Sequence, residues 1–172
     1  MKNGEKIKIA GMEWTVLEKL ESGYLCITEG FERLSTKFDT STNNWESSDL
    51  RKYLNTEFKE KIEGAIGNEL VEFKRDLLSL DGQTEYGNCM DKVSLLTLDE
   101  YRKYRHLLPN TDEWWWLCTP WSTPCNGYEK LVTVVSTSGY FDYDLCYGSR
   151  GVRPVCIFSS SIFESGVVKG FE

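Results

Sequence analysis

The chain has one histidine, His106, and no C-x-x-C pair among its six cysteines, so the ligand spacing of an ordinary zinc site is missing. No apolar run approaches the ~20 residues of a membrane-spanning helix. Met1-Lys2-Asn3-Gly4-Glu5-Lys6 leads into a strand-like pattern and not into a signal-peptide hydrophobic region. Positive charge is also short: 20 Lys and Arg against 27 Asp and Glu leave a net charge of −7. That balance opposes contact with phosphate backbones and anionic membranes, which need clustered cations. Neither nucleic acid nor membrane insertion is therefore expected, and the expected compartment is the cytoplasm, or a particle assembled there. No nucleophile elbow, P-loop, H-E-x-x-H or dinucleotide-binding fingerprint occurs, which removes the enzyme classes that depend on them.

What is present suits one globular domain over residues 1–172. Hydrophobic residues make up 40% and aromatics 13% of the chain, enough for a substantial core, and no repeat or linker divides it. The cysteines stand at 26, 89, 118, 125, 146 and 156. In a reducing compartment they stay free. Cys26 and Cys156 lie in the apolar runs Tyr24-Leu25-Cys26-Ile27 and Val155-Cys156-Ile157-Phe158, where cysteine acts as a small hydrophobe.

Along the chain, Ile7 and Ile9 alternate with lysines, and Trp14–Leu17 and Tyr24–Thr28 flank a Glu21-Ser22-Gly23 turn, which predicts an N-terminal antiparallel hairpin. Residues 31–44 read as a polar loop. Ser48 is placed to cap a helix whose Leu50, Tyr53, Leu54, Phe58 and Ile62 share one face, with Gly64 as its stop. Residues 69–74 suggest a strand, 81–88 a loop and 93–96 a short strand. Thr97 and Glu100 have capping-box spacing for a second helix to about Tyr104. Segments 114–117, 131–135, 140–147 and 152–158 read as strands. Two main helices among short, mostly antiparallel strands without a βαβ rhythm predict an α+β fold.

Three segments together carry a resemblance: Trp45-Glu46-Ser47-Ser48-Asp49-Leu50-Arg51-Lys52-Tyr53-Leu54-Asn55, then Trp114-Trp115-Trp116-Leu117, then Gly151-Val152-Arg153-Pro154. In that order they resemble a bacterial and phage domain family of unknown function with the pattern W-x-x-S-x-L-R-x-[WY]-L-N, W-W-L, G-V-R-P. The resemblance covers about residues 7–158 and leaves 159–172 as a C-terminal extension. It implies a C-type-lectin-like fold, related to formylglycine-generating enzymes and to the variable proteins of diversity-generating retroelements. The family usually has Arg after W-W-L, where this chain has Cys118. The E-P-N and W-N-D signatures of calcium-dependent lectins are absent.

Trp45, Ser48, Leu50, Arg51, Leu54, Asn55, Trp115, Gly151, Arg153 and Pro154 are read as structural. Gly151 is expected to take a positive φ at the strand entry, and Arg153 to clamp loop carbonyls or a core carboxylate. Strand alternation sends Trp115 to one face and Trp114 and Trp116 to the other, either as core or with one indole, helped by Trp121, on a binding surface. In the stretch 140–150, alternation is expected to turn Phe141, Tyr143, Leu145 and Tyr147 inward and Tyr140, Asp142 and Asp144 outward. Tyr supplies contact area at low entropic cost and Asp supplies adaptable hydrogen bonds. In the related retroelement proteins the diversified positions sit just before the corresponding terminal motif. The candidate ligand-binding set is therefore Tyr140, Asp142 and Asp144, with Trp121, Asn126, Tyr128 and Ser149.

These readings favour a non-catalytic module for a protein or glycan ligand, with no cofactor and no metal, and leave a homo-oligomer open. The alternative is a structural or assembly component of a phage particle. Third comes an enzyme of the formylglycine-generating kind, whose copper-binding cysteine pair would fall to Cys118 and Cys125.

Overall fold

A computed structural model describes residues 1–165. The N-terminal hairpin forms from β1 (Lys6–Ile9), β2 (Met12–Leu20) and β3 (Gly23–Thr28), with Ile7 opposite Trp14 and Val16 opposite Cys26. Gly23 closes the β2–β3 turn at φ 153°, and a Cβ there would collide with the Phe158 carbonyl. β4 (Arg33–Thr36) follows inside the segment expected to be loop. Its residues are mostly exposed, so no hydrophobic alternation marks it; pairing with a later strand makes it a strand.

Ser48 caps α1 (Asp49–Tyr53), its hydroxyl accepting from the Arg51 amide at 3.1 Å. A π-helical stretch (Leu54–Phe58) and α2 (Lys59–Ile66) continue the same helical rod. Leu50, Leu54, Phe58 and Ile62 recur every fourth position, a spacing that drifts by about 40° per step around an ideal α-helix. The wider π turn takes back part of that drift, and all four side chains are buried in one core. Gly64 does not end the rod; Gly67 does, at φ 77°.

Residues 69–74 divide into β5 (Leu70–Val71) and the start of β6 (Phe73–Asp76), which pairs with β7 (Asn88–Asp91) as a separate ribbon. After β8 (Val93–Ser94), the Thr97–Glu100 capping box opens α3 (Leu98–Tyr104). The chain then forms β9 (Trp115–Pro120), β10 (Leu131–Val135), β11 (Phe141–Leu145), β12 (Arg150–Val152), β13 (Val155–Phe158) and the short α4 (Ser161–Glu164). α4 falls in the segment 159–172 that the resemblance leaves as an extension, and it seats Ile162 in the core, with Phe163 edge-on to Tyr24 at 5.1 Å. The remainder of the extension, 166–172, lies outside the described residues.

Two sheets result, in the orders β1-β2-β3-β13-β5, with β8 also on β13, and β11-β10-β9-β12-β4. The fold is α+β, dominated by sheet. β3, β13 and β9 are buried along their whole length because both faces are covered. On one side Trp14, Phe58, Phe158, Phe38, Trp45 and Trp116 pack together; on the other Leu25, Ile157, Trp115 and Leu117 meet α3 through Leu98, Tyr101 and Tyr104. Trp115 and Trp116 thus enter opposite cores, and Trp114 stays half-buried beneath the Arg150 guanidinium, 4.9 Å from its ring. No described helix is long and apolar enough to cross a membrane.

Candidate functional site

Of the large apolar side chains left exposed among the described residues, six of nine fall between 128 and 147: Tyr128, Tyr140, Phe141, Tyr143, Leu145 and Tyr147. This concentration on one edge strand, its flanking turns and the loop between β9 and β10 marks the candidate site, since isolated exposed apolar residues are ordinary and contiguous ones are not.

The strand faces are the reverse of the sequence expectation. Phe141, Tyr143 and Leu145 are 42%, 49% and 37% exposed, while Asp142 and Asp144 are half-buried. The cause is the position of β11 at the margin of its sheet. Asp142 and Asp144 stand beside Val134 and Val132, on the side that leads to the Trp116 core. Phe141, Tyr143 and Leu145 stand beside Val135, Thr133 and Leu131. α3 covers that side at Trp115, where Tyr101 packs edge-on at 5.7 Å, and the row on β11 is left to solvent. Tyr147 is likewise exposed, at 44%.

Asp144 is a structural tie. Its Oδ2 accepts from Arg150 Nε at 2.6 Å and its Oδ1 from the Leu145 amide at 2.7 Å, closing the turn between β11 and β12. Asp142 Oδ1 accepts from the Tyr143 amide at 2.8 Å. Tyr140 lies exposed just before the strand, with its carbonyl accepting from the Ser136 amide at 2.9 Å. Ser149 is exposed in the β11–β12 turn.

Trp121, Asn126 and Tyr128 come from the loop between β9 and β10. The half-buried Trp121 ring packs against Tyr143 with centroids 4.8 Å apart and planes tilted by 57°. Tyr128 and Leu145 line one shallow hollow with Leu131. Asn126 donates to Asp81 Oδ2 at 3.1 Å, and the same oxygen accepts from Ser122 Oγ at 2.6 Å. Hydrogen bonds from Ser122, which contributes most, then Ser79 and Asn126 hold Asp81 below the usual carboxylate range. The structure therefore brings Trp121, Tyr128, Tyr143 and Leu145 to one face, and directs Asp142 and Asp144 away from it.

Sequence reasoning missed Asn43, which holds this loop in place. Fully buried, its amide nitrogen lies 2.8, 2.9 and 2.9 Å from the carbonyls of Ser122, Tyr128 and Leu131, and its oxygen accepts from the Tyr86 hydroxyl at 2.5 Å. Nothing in a Ser/Thr/Asn-rich stretch singles out the one Asn that turns inward.

The other motif residues brace the fold. Arg153, 1% exposed, donates from Nε and Nη2 to the Thr28 carbonyl at 3.1 and 3.0 Å and lies over Trp115 at 4.8 Å. Its Nη1 has no partner among the described residues, and burial pushes the guanidinium down to about 10, with Glu29 and Tyr101 opposing. Pro154 gives its carbonyl to the Thr28 amide. Gly151 has no positive φ, contrary to expectation. Close approach explains it instead: a Cβ there would sit 2.5 Å from carbons of the Phe31 ring.

Cys118 and Cys125 occupy different surroundings. Cys118 is fully buried, donates to the Leu95 carbonyl at 3.5 Å and carries a thiol that burial pushes up to about 12. Cys125 is exposed, on a short turn where the Glu85 carboxylate raises its pKa. Among the described residues no three His, Cys, Asp or Glu side chains gather as a metal-binding group. Compared with protein-family models, with curated proteins and with solved structures, the chain matches none.

Proposed function

We propose that the domain is a non-catalytic binding module that presents Trp121, Tyr128, Phe141, Tyr143 and Leu145 to a protein or glycan ligand from a C-type-lectin-like scaffold. The observation that carries this reading is the exposed row on β11, packed against Trp121 of a loop that Asn43 pins. Aromatic side chains with few rotors bind with little entropic loss when their backbone is already fixed. For the scaffold, the support is the return of β13 beside β3, with the second sheet and its exposed row immediately before Gly151-Val152-Arg153-Pro154. The third reading, an enzyme of the formylglycine-generating kind, gains little support from its candidate copper pair, because Cys118 is buried and Cys125 is exposed on a turn.

A particle component whose aromatic row is a subunit contact is the second reading, favoured by the position of that row at a sheet edge. The test is binding of the chain and of Trp121→Ala, Tyr128→Ala and Tyr143→Ala to arrayed glycans and to candidate surface proteins. Loss of binding with unchanged melting supports the module. A ligand held equally well by all three variants overturns the site.

A further inference from the structure

β11 ends its sheet, with β10 on one side and no described strand on the other. The Ser136 amide donates to the Tyr140 carbonyl at 2.9 Å and the Cys146 amide to the Lys130 carbonyl at 2.7 Å, so even-numbered residues here bond towards β10. Antiparallel alternation then turns the amides and carbonyls of Phe141, Tyr143 and Leu145 to the free edge. Such an edge, flanked by an apolar row, is a template for another strand.

Half of that edge, three of its six amides and carbonyls, is already occupied from within. The Tyr143 amide donates to Asp142 Oδ1 and the Leu145 amide to Asp144 Oδ1, each carboxylate closing the amide that follows it. The Leu145 carbonyl accepts from the Gly148 amide at 2.8 Å. Arg150 fixes Asp144 in this role, and Gly148 leaves room for it, since a Cβ at 148 would collide with the Asp144 carboxylate. Among the described residues, the Phe141 amide and the carbonyls of Phe141 and Tyr143 are left open, too few for a continuous ladder.

We propose that Asp142 and Asp144 are edge guards: they keep β11 from pairing with the β11 of a second copy of this chain. The aromatic row can then face solvent without the backbone beside it recruiting a strand, and the inference holds whether or not that row binds a ligand. It also assigns a function to the alternating Asp-x-Asp pattern that side-chain exposure does not explain.

Sedimentation velocity over a concentration series tests it, with the wild type, Asp142→Ala/Asp144→Ala and Asp142→Asn/Asp144→Asn compared. The alanine pair is expected to associate at about tenfold lower concentration than the wild type, the factor expected from recovering hydrogen bonds of ordinary strength. Amide exchange should slow at Phe141 and Tyr143 in the associated species. The asparagine pair retains an acceptor oxygen and is expected to behave as the wild type. A folded alanine pair that associates no more than the wild type overturns the proposal, as does an asparagine pair that associates as readily as the alanine pair. If the alanine pair fails to fold because Arg150 loses its partner, Asp142→Ala alone decides: it must still associate more than the wild type.

Discussion

The indole of Trp45 donates to Asp91 Oδ2 at 2.7 Å, and Arg51 Nε donates to Asp91 Oδ1 at 2.6 Å, so one fully buried carboxylate is shared by two residues of the W-x-x-S-x-L-R segment. Asn55 extends the clasp by one turn. Its amide donates to the Val93 carbonyl at 2.8 Å, and its oxygen accepts from the amides of Lys92 and Val93. The segment is therefore a device that fastens the helical rod to β7 and β8.

Asp91→Ala removes the acceptor, leaving the buried Trp45 indole unpaired and the Arg51 charge held only by the Glu46 and Met90 carbonyls. A loss of ~3–5 kcal/mol is expected, the range for breaking a buried charge pair. Trp45→Phe should cost less, about 1–3 kcal/mol, since Arg51 still neutralises the carboxylate. Urea denaturation of the three proteins checks the order.

Leu54 is fully buried at the centre of the rod. Leu54→Ala is expected to lower stability by ~2–5 kcal/mol, read as a shift of the denaturation midpoint.

Phe141→Ala should change stability by only about 0.5 kcal/mol or less, as at other exposed positions, and Tyr143→Ala by about 0.5–1.5 kcal/mol through the lost Trp121 contact. Thermal melts distinguish this from the inward packing that the sequence pattern implies, which would cost several times more.

Gly151→Ala places a methyl group against the Phe31 ring and is expected to cost ~1–3 kcal/mol through overpacking. Phe31→Leu should recover part of that loss when the two are combined, a coupling that a double-mutant cycle measures.

Acid stability should depend on Glu100. Burial raises its pKa, but the Arg75 charge and hydrogen bonds from Arg75 and Thr97 outweigh that and leave it below 4.5 in the folded protein. Its folded pKa is thus below the unfolded one. The stabilisation is complete above about pH 4.5 and is lost as pH falls through the folded value. Glu100→Gln should therefore show a smaller drop in stability between pH 7 and pH 3 than the wild type, measured by urea denaturation at each pH.

Local chemistry made several elements legible before folding. Ser48 and Thr97 carry the caps of the helices that follow them, and the apolar repeat from Leu50 to Ile62 names the buried face, because both signals act within a turn or two of chain. The alternation of Trp114, Trp115 and Trp116 likewise fixed that successive rings go to opposite sides.

What alternation leaves open is which side is inside. For β11 that depended on where α3 and the sheet margin fall, so the apolar row went outward and the aspartates inward. β4 is a strand by virtue of its partner across the sheet, and Gly151 is required by a ring that arrives from residue 31. Asp91, Asn43 and the Arg75–Glu100 pair join segments 25 to 88 residues apart. A polar residue within such a stretch reads as solvent-facing until a distant partner buries it, and only tertiary contact supplies that partner.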